Sequence, residues 1–180
     1  MPQKTREKIL TTAEKLIMDT GSSDVTLDQI AGELGLTHAA LYKHFRNKQA
    51  LWEAVASAWF EREIIKKIQV SNATSKEEQL HDWLWLFVNA KKTAFNTNPK
   101  MFALNTEYID SNPRALRKVL EGAYKEINLI MDYPTDDFDK SELILAAFAI
   151  FTLPNFKDTW NDPDYQKRFE MLWDLIQKGI

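Results

Sequence analysis

Thr37, His38, Tyr42, Lys43, His44, Arg46 and Lys48 fall within one short stretch, and from Leu34 to Ala50 there are seventeen residues with three Lys/Arg and no carboxylate. Lysine and arginine neutralise phosphates, whereas threonine, histidine and lysine present donors and acceptors of the length that reaches a base edge. A carboxylate in such a surface would repel a phosphate backbone. An ordinary solvated helix face mixes Glu with Lys and rarely carries an exposed Tyr between two histidines. The chemistry on offer here is that of nucleic-acid contact.

Other chemistries have little to work with. The chain has three histidines and no cysteine, which excludes a disulfide framework, a cysteine nucleophile and thiolate metal sites. Glu78-x-x-His81 has the spacing of half a di-iron carboxylate site in a helical bundle, but no second copy exists, and neither His38 nor His44 has a Glu three positions before it. There is no Gly-rich phosphate loop, no Gly-x-Ser-x-Gly and no histidine pair at zinc-protease spacing. The expectation is a protein that is not an enzyme and that holds neither cofactor nor metal.

The elements that carry the polar stretch are helices. Ile9, Leu10, Ala13, Leu16 and Ile17 lie on one face, closed by Gly21. Thr26-Leu27-Asp28-Gln29 reads as a capping box opening a short helix with Leu27, Ile30, Ala31 and Leu34 on its inner side. Gly35 permits a turn, Thr37 caps a third helix with Ala40, Leu41 and Phe45 inward, and Asn47 caps a fourth. Two such helices joined by a tight turn make a helix-turn-helix, although the same spacing also occurs in proteins that never touch DNA. The fourth helix runs through Leu51, Val55, Trp59 and Ile65 to about Ile68, where Ser71-Asn72-Ala73-Thr74 interrupts it.

Further along, Ser75-Lys76-Glu77-Glu78 opens a helix with Leu80, Trp83, Leu84, Phe87, Val88 and Phe95 on one stripe. Asn98-Pro99, Asn112-Pro113, Asp139-Lys140-Ser141-Glu142 and Asp162-Pro163 mark later helix starts. The pattern predicts an all-α protein of about nine helices, with an N-terminal three-helix head over residues 1–48 and a larger helical body over 49–180. The run from Leu143 through Ala147 and Phe148 to Phe151 is apolar on every face, so a helix built from it must be buried all round. With the stripe Tyr165, Phe169, Leu172, Trp173 and Ile176 of the last helix, it predicts a homodimer interface of four helices, a wholly intramolecular core being the alternative.

Thr26 to Leu51 resembles the DNA-binding head of the TetR (tetracycline repressor) family of bacterial transcription regulators. The likeness is carried by Leu41-Tyr42, His44-Phe45, Lys48 and Leu51, and it extends over about residues 5 to 55. Ala39-Ala40 stand where members often have Gly-Thr, which removes one hydroxyl. The resemblance implies a homodimeric repressor of a palindromic operator in double-stranded DNA, released by a small effector. It implies phosphate contacts by Thr26, Tyr42, His44 and Lys48, and base-edge contacts by Thr37, His38, Ala39 and Lys43. It places Trp59, Phe60, Trp83, Phe87, Phe95, Met101, Phe102, Tyr108, Tyr124 and Met131 on the helices that surround the effector cavity. His81, Asn89, Lys91, Asn105 and Asn128 are the polar groups among them, and the effector expected is apolar or aromatic. The fourth helix would be the lever between head and body, most sensitive around Ala54 to Ala58.

Composition fits this organisation. The 180 residues suffice to bury roughly 70% of the unfolded surface. The net charge of −3 conceals a head at +1, with seven basic against six acidic residues through position 48, and an acidic remainder. Only Tyr42 and Phe45 of the 21 aromatic residues lie before position 49. No apolar run is long enough to span a bilayer and the first residues lack a signal-peptide core, so a cytoplasmic protein is expected. The competing readings are a helical small-molecule-binding or interaction module without operator binding and, more remotely, a metal-dependent helical-bundle enzyme.

Overall fold

The computed structural model describes residues 2–21, 24–69 and 75–180, with side chains from Lys4 onward. Among the described residues every regular element is helical, and the chain clusters into two compact units. Unit 1 comprises Met1–Glu61 and Asn98–Val119, and unit 2 comprises Arg62–Thr97 and Leu120–Ile180.

Unit 1 begins with α1 (Pro2–Thr20), followed by α2 (Leu27–Glu33), α3 (His38–Tyr42) and α4 (Lys48–Glu63), the last two residues of which count with unit 2. α1 inserts Ile9, Ala13 and Ile17, all fully buried, against α2. Gly21, at φ +103, ends α1 in a conformation that a side chain would strain. The Lys100 Nζ then donates to the Met18 and Asp19 carbonyls at 2.9 and 2.5 Å, satisfying acceptors that a helix end leaves free. Lys100 belongs to α6 (Pro99–Asn105), which packs on α1 and continues as a π-helical turn, Thr106–Asp110, before α7 (Pro113–Val119). On α4, Leu51, Trp52, Val55, Ala56, Trp59 and Phe60 are buried. α4 stops at Glu63, short of the expected Ile68, where the β-branched pair Ile64-Ile65 leads into a separate turn over Ile65–Lys67. The interruption expected at residues 71–74 lies outside the described residues.

Unit 2 is built on α5 (Lys76–Thr97), which packs against α8 (Glu121–Met131) and α10 (Ala149–Thr152); α9 (Asp139–Ala147) and α11 (Tyr165–Ile176) complete it. The Ser75 hydroxyl accepts from the Glu78 amide at 3.1 Å, as the sequence predicts for the start of α5. Phe148, Phe151, Tyr165 and Phe169 form an aromatic cluster with neighbouring ring centroids 5.1 to 6.3 Å apart. Trp85 packs on the Tyr165 and Phe169 rings of α11. Among the described residues the expected nine helices become eleven α-helical segments, because two of them break. One break falls at Leu120 (ψ −4), between α7 and α8, and the other at Phe148 (ψ 17), between α9 and α10. α11 starts at Tyr165, not at Asp162-Pro163, because the Tyr165 amide donates to the Asp162 carbonyl at 3.1 Å and closes a turn ahead of the helix.

Candidate nucleic-acid interface

The polar stretch is held by two short helices whose ends are fastened locally. Thr26 forms the predicted capping box: its hydroxyl accepts from the Gln29 amide at 3.2 Å, and the Gln29 Oε1 accepts from the Thr26 amide at 2.7 Å. The Thr26 hydroxyl also donates to Gln29 Oε1 at 3.1 Å, so its single proton is used within the cap. Gly35, at φ +61, turns the chain between α2 and α3, and the Leu36 amide returns to the Ala31 carbonyl at 2.8 Å. The Thr37 hydroxyl accepts from the Ala40 amide at 3.1 Å, which leaves its proton available.

Burial sorts the residues that follow into an inner and an outer set. Leu41 and Phe45 are buried, with the Arg6 guanidinium 5.0 Å over the Phe45 ring. Thr37, His38, Ala39, Tyr42, Lys43 and Arg46 are exposed, while His44 and Lys48 are half-buried. The Asn47 carboxamide accepts from the Ala50 amide at 2.8 Å and caps α4, whose first residue, Lys48, holds its ammonium 5.4 Å from the Trp52 ring centroid. Seven of the eight residues expected at a DNA surface thus lie on one short segment around α3, with Thr26 at the start of α2.

One member of this surface has no sign in the local sequence. Asp28 of α2 comes within 3.6 Å of the His38 Nε2, and the His38 ring meets Tyr42 edge-on at 4.8 Å between centroids. The acid-free stretch therefore acquires a carboxylate from ten positions upstream, through the fold of the turn.

The residues expected around an effector are divided between the units. Trp59, Phe60, Met101 and Phe102 are buried in unit 1 and Trp83, Phe87 and Tyr124 in unit 2, all at 3% exposure or less; Tyr108 and Phe95 are half-buried. Trp83 and Phe87 stack at 5.3 Å. Two of the polar groups among them have structural roles. The Asn128 Nδ2 donates to the Pro134 and Asp137 carbonyls at 2.6 and 2.7 Å and fastens the α8–α9 loop. Asn105 donates to Asp110 Oδ2 at 2.9 Å across the π-helical turn. A groove of about 540 Å³ in unit 1 is lined from α1, α4 and α7 by residues including Arg6, Leu10, Ala54, Ser57, Ala58 and Lys118, none of which was expected in an effector cavity.

The apolar residues expected at a dimer interface also divide. Phe148, Phe151, Phe169 and Trp173 are buried within this chain, because α10 and α11 close the core of unit 2 with them; they are core residues and not a surface. Leu143 and Ala147 are exposed, and Leu172 and Ile176 half-buried. Met171 and Leu175 of α11, which the sequence stripe did not include, are 58% and 78% exposed, beside 72% for Leu143. The run 143–151 is therefore not buried all round. Among the described residues no group of three or more His, Asp or Glu could hold a metal, and no helix is long and apolar enough to cross a membrane.

Comparison with known proteins agrees with this geometry. Residues 9–55 match the model of the bacterial regulatory proteins, tetR family. Tetracycline repressor protein class C of Escherichia coli is 43% identical over 53 residues, which are 29% of this chain and 24% of that protein. The matched stretch is thus about a quarter of that relative. Across the whole length the resemblance is one of fold. A TetR transcriptional regulator from Rhodococcus sp. RHA1 aligns over 100% of both chains with a TM-score of 0.64 at 19% identity. BioQ, solved with its double-stranded DNA operator, aligns over 96% of this chain and 98% of its own with a TM-score of 0.56 at 20% identity. Residues 9–55 thus carry a head like that of the tetR family of bacterial regulatory proteins, and the chain as a whole shares its fold with regulators of known structure.

Proposed function

We propose that the chain is a DNA-binding transcriptional regulator that acts as a homodimer on a palindromic operator, with its second unit serving dimerisation and the response to a small apolar or aromatic effector. The observation that carries the reading is the surface around α3, where Thr37, His38, Tyr42 and Lys43 are exposed above a buried Leu41 and Phe45. A helix presented in this way fits a major groove, with base edges read by Thr37, His38, Ala39 and Lys43 and phosphates held by Tyr42, His44 and Lys48. Thr26 acts chiefly as the cap that fixes α2, since its proton is already donated. BioQ, which shares the fold, binds a double-stranded operator.

Two identical heads related by a two-fold axis read an inverted repeat, with half-sites about one helical turn or more apart. The exposed Leu143, Met171 and Leu175 supply the apolar surface for that pairing. The dense aromatic packing of the helices suits an apolar ligand, which would act by shifting the population of head spacings. The test is selection of duplexes from a random pool by the purified protein at two salt concentrations. An inverted repeat whose affinity falls steeply with salt is expected. Weak binding without sequence preference would favour an interaction module.

A further inference from the structure

We propose that Asp28 is a specificity-determining residue of the operator surface, acting by orienting His38 so that the pair presents acceptors, and not donors, to a base edge. The inference rests on the operator reading above and goes a step past it, to which base chemistry one position of the half-site must carry.

The geometry is specific. The His38 Nε2 is the ring nitrogen that faces the Asp28 carboxylate, at 3.6 Å, and Tyr42 stands edge-on against the same ring at 4.8 Å. At 3.6 Å the contact is longer than a hydrogen bond, but a carboxylate has only acceptor oxygens and so favours the tautomer with its proton on the nitrogen that faces it. In the neutral imidazole the second nitrogen, Nδ1, is then a lone-pair acceptor, and it has no partner among the described residues. On the Nε2 side of the ring the Asp28 oxygens are themselves acceptors, on a side chain 84% exposed. His38 is the first residue of α3, and Asp28 lies in the first turn of α2. In the major groove the amino groups of adenine N6 and cytosine N4 are donors, whereas guanine offers N7 and O6 as acceptors. An acceptor pair selects an amino edge and rejects guanine. The carboxylate is a cost at a surface that must approach phosphates, so its contribution lies in discrimination and not in affinity.

The other features of the chain carry less. The Glu77, Glu78, His81, Asp82 and Glu170 cluster is an acidic group without a further sign of a ligand, and the orphan Oδ1 atoms of Asn105 and Asn128 sit beside structural hydrogen bonds.

The test is random-pool selection followed by titration of the selected duplex and its single-base variants, with the wild type, D28N, H38A and the double variant. The Asp28→Asn change keeps the side-chain shape and removes the charge, and a thermal melt checks that each variant folds. The wild type is expected to reject guanine at one position of each half-site by about ten-fold or more, the scale of one good base contact. D28N is expected to bring that ratio to within about two-fold while leaving the other positions unchanged, and in the H38A background the same substitution should do nothing further. Uniformly tighter binding of every sequence by D28N, with preferences intact, would overturn the inference and reduce Asp28 to a long-range charge. Unchanged guanine rejection in D28N would overturn it equally. Failure of the wild type to enrich any inverted repeat would instead remove the operator reading itself, and this inference with it.

Discussion

His81 sits between two carboxylates. Its Nδ1 lies 3.1 Å from Asp82 on the same helix and its Nε2 lies 2.9 Å from Glu170 of α11, with Phe169 and Trp173 edge-on to the ring. A neutral imidazole has one N–H and cannot donate to both, so the arrangement is complete only when the ring is charged. Burial opposes that charge, but the hydrogen bonds to Glu170 and Asp82 and their negative charge outweigh it and raise the pKa above the ordinary histidine value. A raised folded-state value means that the contribution of this clamp is fully present below about pH 6.5, where an unfolded histidine titrates, and is lost as pH rises through the folded value. Thermal unfolding followed from about pH 6 to about pH 9 should show the wild type losing more stability than H81Q; parallel curves would show that the clamp contributes nothing. At the head, the exposed Lys43 and the half-buried Lys48 are expected to differ. K48A should weaken binding about equally for all sequences and lower the salt slope by about one, whereas K43A should relax preference at a base position.

At the level of elements, the turns decide the interface. G35A places a side chain at φ +61, where nothing crowds the new methyl, so the loss expected is the left-handed backbone strain alone, about 1 kcal/mol in urea unfolding. T37A removes the cap hydrogen bond at Ala40 and should cost about 1 kcal/mol as well. Both features were legible in the sequence because a cap or a glycine turn is written within four residues. The same holds for Ser75 and Asn47, and for the outward set on α3, which follows from one helical period. Asp28 beside His38 was not legible, since their approach depends on how the turn folds. Nor were the breaks at Leu120 and Phe148, where no proline or capping signal in the sequence marks an end. The aromatic stripe of α11 was read correctly as apolar, but spacing cannot say whether Phe169 and Trp173 fill the chain's own core or a neighbour's.

For the molecule as a whole, the exposed apolar residues of α9 and α11 are the ground for a testable assembly. Leu143, Met171 and Leu175 are 72%, 58% and 78% exposed, more than solitary surface hydrophobics require. Sedimentation equilibrium should find a dimer for the wild type and a monomer for L143D/L175D with unchanged helical circular dichroism; a wild-type monomer would remove the two-fold operator geometry with it. The division into units was the least legible feature of all. Nothing in residues 98–119 announces that they return to pack beside α1, because such a return leaves no local pattern. Yet Lys100 closes the end of α1, and the unit is complete only with that segment. During synthesis, the residues of the head emerge first and wait for a segment whose last residue, Val119, is encoded 58 positions after Glu61. At ordinary ribosomal speed that interval is about 3 to 12 s. For those seconds the side of α1 that α6 covers, with the Met18 and Asp19 carbonyls, is without its final partners, so the nascent head is most exposed to chaperones and to aggregation until that segment has left the ribosome.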